Sequence, residues 1–138
     1  SRGLGDVYKR QDLVDGDFVD VRIRFGNGQD YIVVSKKQVS IPEIAGAPAE
    51  GVININLSED ESIAMSSAII ELYQLKAVEM YVSRYTDPGM QVAATPTYPV
   101  SAEALNLMDS NPNIVDEAKQ AIASRYNRNL RENYINGQ

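Results

Sequence analysis

From Phe18 to Phe25 apolar and charged residues alternate, with Val19, Val21, Ile23 and Phe25 on one face and Asp20, Arg22 and Arg24 on the other. That is the period of a half-buried strand. Gly26-Asn27-Gly28 follows, and an Asn-Gly pair between two apolar runs supplies the positive φ angles of a tight hairpin turn. Tyr31 to Ser35 is the returning strand, Lys36-Lys37-Gln38 an exposed link, and Val39 to Ile41 a short continuation. A β-hairpin therefore opens the domain.

Pro42 to Gly51 is rich in Pro, Gly and Ala and reads as a surface loop; Val52 to Leu57 then alternates as a third strand, Ile53, Ile55 and Leu57 inward. Ser58-Glu59-Asp60-Glu61 has the spacing of a capping box, and its acidic first turn suits the positive end of a helix dipole. Behind it Ile63, Ser66, Ser67, Ile70 and Tyr73 adjoin a second row of Met65, Ala68, Ile69 and Leu72, the wide apolar face of a helix of about fifteen residues. Ala77 to Tyr85 returns to period two, so strands bracket the helix. After the turn at Asp87-Pro88-Gly89, Gln91 to Val100 carries two prolines and should run extended over the surface. Ser101 caps a helix over Ala102 to Met108, and Asn111-Pro112 restarts one whose narrow stripe is Ile114, Val115, Ala118, Ala121 and Ile122. The expected class is α+β: a small, mostly antiparallel sheet with one packed helix and a helical C-terminal extension. The core domain spans 12–90, and 91–138 is an extended linker plus helical tail.

Composition narrows the chemistry. The 138 residues suit one domain, and 43% hydrophobic with 23% charged residues is an ordinary globular balance. With no Cys there is no disulfide framework, thiolate nucleophile or thiolate metal site, and with no His the commonest general base and metal ligand is missing. The longest uncharged run, Pro88 to Ala102, is broken by three prolines and provides no membrane-spanning helix. A non-enzymatic chain with no cofactor and no metal is the expectation.

Asp12, Asp15, Asp17 and Asp20 crowd together as calcium ligands do, but without the terminal Glu of a calcium loop, and with Val19 and Asp20 already in a strand, they read as a polar turn. Ser66 and Ser67 lack any His, and Lys76 lies too far along the helix to serve as their base, so they read as small packing residues. Lys119, Arg125, Arg128 and Arg131 are the only charges from Ala118 to Arg131, and the three arginines share a helical side near Tyr126. The acidic remainder of a chain of net charge −6 opposes attraction to phosphate, so Arg125, Arg128, Arg131 and Tyr126 read as a solvated face or as docking residues for an acidic protein or headgroup surface, and not for nucleic acid. Tyr81, Tyr85 and Tyr98 read as half-buried sheet residues, with an exposed stripe for a partner or a sugar as the alternative.

Residues 1–11, Gly5 to Gln11 in particular, resemble a translated library-adapter scar, in which case any native signal or anchor is lost. Asp15-Gly-Asp-Phe-Val-Asp-Val-Arg-Ile-Arg-Phe25 and Asp30-Tyr-Ile-Val-Val-Ser-Lys-Lys-Gln-Val39 resemble the segment after the SAF domain in CpaB/RcpC-type Flp pilus assembly proteins. Ile53-Asn-Ile-Asn-Leu-Ser-Glu-Asp-Glu-Ser62 is similar to that family's strand-then-helix element, and Val78 to Tyr85 to its return strand, while Ser101 to Gln138 departs from it. The resemblance implies a non-enzymatic, extracytoplasmic assembly part of a membrane-anchored parent, with protein subunits or cell-wall material as partners. The competing classes are a phage or virion structural protein and, third, a small hydrolase or binding module.

Overall fold

A computed structural model describes residues 2–3, 13–48 and 53–135, with side chains from 13 to 47 and from 53 to 125. In chain order the elements are β1 (Arg2–Gly3), β2 (Phe18–Arg24), β3 (Asp30–Gln38), β4 (Glu43–Ile44), β5 (Ala47–Pro48), β6 (Asn54–Ile55), α1 (Glu59–Gln74), β7 (Glu79–Arg84), α2 (Ala102–Ser110) and α3 (Ile114–Ile135). The fold is α+β: an antiparallel sheet ordered β3-β2-β7 with three helices, two of them C-terminal.

The alternation of β2 puts it at the centre of that sheet, with Val19, Val21 and Ile23 fully buried. They pack in one cluster with Val33 and Val34 of β3, Met80 and Val82 of β7, and Met65, Ala68, Ile69 and Leu72 of α1. The β2–β3 turn uses a different geometry from the expected Asn-Gly pair. Phe25 O accepts from Gly28 N (2.9 Å), Phe25 N donates to Gln29 O (2.8 Å), and of the pair only Gly28 has a positive φ, +92°. This is a turn closed by a left-handed glycine bulge.

β3 runs to Gln38, through the residues expected as an exposed link. Two register shifts interrupt its pairing with β2, and Lys36 adopts φ +50° opposite Asp20. Bulges reset the pleat, so the neighbours Val33 and Val34 are both buried, which strict alternation forbids. They also hold Lys37 where its Nζ lies 2.5 Å from Glu61 Oε2.

Two further expectations are corrected. The Pro42–Gly51 loop contains the hairpin β4–β5, turned by Ala45 and Gly46 at φ +54° and +82°. The third strand shrinks to β6, which pairs with β1 and bridges Ser40 instead of joining the main sheet, although Ile53 and Ile55 are buried as expected. β1 is the described part of 1–11; the rest of that segment, with Asp12 and Val52, lies outside the described residues.

The capping box at α1 is present: Glu61 N donates to Ser58 Oγ (3.2 Å) and Ser58 N to Glu61 Oε1 (2.9 Å). Residues after 90 are extended and then helical, as expected, but they are built into the same core. Tyr98, Ala118 and Ile122 belong to the main cluster, while Ala104 and Ile114 close a second one around Ile70.

Candidate functional site

Residues 86–100 form a strap along the outer edge of β3. An edge strand exposes unpaired N–H and C=O groups that invite uncontrolled pairing. Here Ile32 O accepts from Thr97 N (2.9 Å) and Tyr98 N (3.0 Å), while Ile32 N donates to Thr97 Oγ1 (2.9 Å). A threonine hydroxyl thus stands in for a strand carbonyl, which lets a segment with prolines at 96 and 99 lie against a strand.

Two side-chain networks pin the strap. At one end the buried Asp20 accepts through Oδ1 from Ser35 Oγ (2.7 Å), Tyr85 Oη (2.7 Å) and Lys36 N (2.9 Å). Ser35 Oγ in turn accepts from Ala94 N (2.8 Å), and Lys36 Nζ donates to Gln91 O (2.6 Å). Burial, reinforced by the Asp20 carboxylate, pushes the Tyr85 hydroxyl above its ordinary pKa.

At the other end Tyr98, 9% exposed, donates to Glu71 Oε1 on α1. Its one proton is so engaged, and Ser67 Oγ, 2.7 Å away, must donate to the Tyr98 oxygen while accepting from Ser101 N (2.9 Å). Burial first, then Glu71, raises the Tyr98 pKa strongly. Ser67 is fully buried and acts as a hydrogen-bond hub joining α1, the strap and the start of α2, beyond the packing role expected of it.

Between these anchors the strap turns apolar groups outward. Met90 is 80% and Val92 86% exposed, the two most exposed of the large hydrophobic residues described. They sit on a backbone held by Met90 N and Gln91 N to Asp87 O (both 3.0 Å) and by the Lys36 and Ala94 contacts.

The residues singled out from sequence are dispersed. Asp15 Oδ1 accepts from Ile41 N (2.8 Å), Asp17 Oδ2 from Val14 N (2.9 Å), and Asp20 serves the strap, so these carboxylates hold three separate contacts. Tyr81 and Tyr98 are apart: the Tyr81 hydroxyl donates to Asp30 on the sheet face opposite the core, where Arg22 and Arg24 Nε lie 3.3 and 3.4 Å from that carboxylate. Partial burial raises the Asp30 pKa, but Tyr81 and the two arginines outweigh it and hold it below its ordinary value.

Arg125 has a structural partner. Its Nη2 donates to Tyr73 O (3.4 Å) at the end of α1, whose last turn carries no basic residue of its own. A cation there offsets the negative pole of the helix. Tyr126, Arg128 and Arg131 lie on the backbone of α3, their side chains outside the described set.

Compared with known proteins, the chain matches no family model, no curated protein and no solved structure. No described helix is long and apolar enough to cross a membrane.

Proposed function

We propose that the chain is a non-enzymatic assembly or scaffold component of an extracytoplasmic, Flp pilus-like surface-appendage system, docking on protein subunits through its strap. The observation that carries this reading is the pairing of exposure with order: Met90 and Val92 stand in solvent on a backbone tied at both ends by hydrogen bonds. Single exposed hydrophobes are ordinary on a protein surface, whereas apolar side chains held together on an immobilised segment are preorganised for a partner. The polar clusters are consistent with this role, because Asp20, Asp30, Ser67 and Tyr98 each hold another part of the fold in place. The resemblance of Asp15 to Tyr85 to the pilus assembly family supplies the kind of system.

The test is co-purification with the products of the neighbouring genes, comparing the wild-type chain with Met90→Asp/Val92→Asp. The expected result is loss of a pilus subunit or export component at unchanged melting temperature. Neighbours encoding portal and capsid proteins, or turnover in a broad hydrolase screen, would replace the reading with the virion or the enzymatic one.

A further inference from the structure

A second surface feature lies where the turn before β2, the end of β3 and β6 meet. An open groove of about 470 Å³ is lined there by the polar residues Asp15, Gln38, Ser40, Asn54 and Asn56. Its apolar lining residues, Val39 and Ile55, are each 2% exposed and offer little surface. Main-chain groups of Gly16, Val39, Ser40 and Asn54 around it are engaged. Gly16 N donates to Val39 O (2.9 Å), Val39 N to Asp17 O (2.8 Å), and Ser40 and Asn54 exchange two bonds of 2.8 Å. Asp15 Oδ1 is held by Ile41 N, and Gln38 Nε2 donates to Gly16 O (3.2 Å). Among the described residues no hydrogen bond engages the side chains of Asn54, Asn56 or Ser40.

We propose that this groove binds a neutral, polyhydroxylated ligand, a short glycan segment. Each side-chain amide presents a donor and an acceptor side by side, the complement of a pair of sugar hydroxyls that both give and take hydrogen bonds. The described lining has no cation to attract phosphate or sulfate, and its one charge, Asp15, repels anions while accepting from hydroxyls. An extended peptide added as a strand requires unpaired main-chain groups, and at Gly16, Val39, Ser40 and Asn54 these are engaged. The inference is independent of the docking strap.

The experiment is an NMR titration of the full ¹⁵N-labelled chain with chitotetraose, a neutral N-acetylglucosamine tetramer, alongside tetra-alanine and tripolyphosphate. The side-chain amides of Asn54, Asn56 and Gln38 should shift and saturate with a dissociation constant of about 1 mM or tighter. Asn54→Ala/Asn56→Ala should weaken binding about tenfold or more. If that double variant loses its fold, Ser40→Ala, on the same wall, must weaken binding instead. The titration should be unchanged in Met90→Asp/Val92→Asp, so the groove and the strap fail or stand separately. No saturable shifts, an unaltered response in the folded groove variants, or a stronger response to tetra-alanine or tripolyphosphate would overturn the proposal.

Discussion

The part of the molecule built from β2, β3, α1 and β7 and the part built from the strap, α2 and α3 are held by different forces. In the first, a run of β-branched and aliphatic side chains is buried to within 3% of full enclosure, from Val19, Val21 and Ile23 to Met65, Ala68 and Ile69, against the paired backbones of β2, β3 and β7. In the second, the strap is attached through Ser67, Tyr98, Ser35 and Thr97, while α2 and α3 add the buried Ala104, Ile114, Ala118 and Ile122. Burial of a large aliphatic side chain is worth about 1.5–3 kcal/mol, and a hydrogen bond about 0.5–1.5 kcal/mol net. The strap, attached chiefly by the latter, is the segment expected to open first.

The comparison is tested most severely by Ile23→Ala. Removing a fully buried side chain from the central strand should cost about 2–5 kcal/mol in chemical denaturation. A loss under about 1 kcal/mol would mean that the sheet half is not the stability core.

Ser67→Ala comes next. It strips the Tyr98 oxygen and Ser101 N–H of a buried partner, so about 1–3 kcal/mol is expected. Hydrogen exchange should localise the effect, with amides at 97–110 losing protection and those of β2 keeping theirs. Uniform loss would show that the two parts open as one.

Ser58→Ala removes one acceptor of the capping box and leaves the apolar face of α1 intact, for an expected loss of about 0.5–2 kcal/mol. An unchanged stability would place the start of that helix elsewhere.

The smallest effects concern pH, and they should separate the two parts. The Asp30 carboxyl lies below its ordinary value, as does Glu61, where Lys37 and the Ser58 amide outweigh partial burial. Both favour the folded state while ionised, so their contribution is present in neutral solution and is lost as pH falls through the folded values, loosening β2–β3 and the start of α1. Tyr98 and Tyr85 are shifted upward, chiefly by burial. Their neutral hydroxyls favour the fold below the ordinary value of 10.0, and that contribution fades as pH climbs above it, because the unfolded chain ionises first. Exchange measured across pH should therefore show the sheet yielding in acid and the strap in alkali. The reverse order would break the assignment.

How much was legible follows the same division. The alternation of Phe18 to Phe25, the capping box at Ser58 and the turn at Gly28 act over a few residues, and each appears in the fold close to where the pattern puts it. The bulge at Lys36 was not legible, because Lys36 accepts a positive φ only where Asp20, two strands' worth of chain away, takes its N–H. Nor was the short reach of β6, whose alternation continues while its partner is a two-residue strand. The candidate site was the least legible. Tyr98 sits between prolines in a stretch without periodicity, and no local signal connects it to Ser67 and Glu71, roughly thirty residues earlier.

What the amino-acid sequence determined by itself was the α+β class, the hairpin, the capped amphipathic helix and the return strand. Those elements follow from side-chain period and from hydrogen bonds that close within three or four residues. Tertiary structure alone decided that the uncharged, proline-containing segment would become a fixed strap, that Ser67 would be a hub and that Arg125 would cap another helix. Each of those roles belongs to a pair of groups distant in sequence, and a hydroxyl, an amide or a guanidinium carries no mark of its partner until packing brings the two within hydrogen-bond reach.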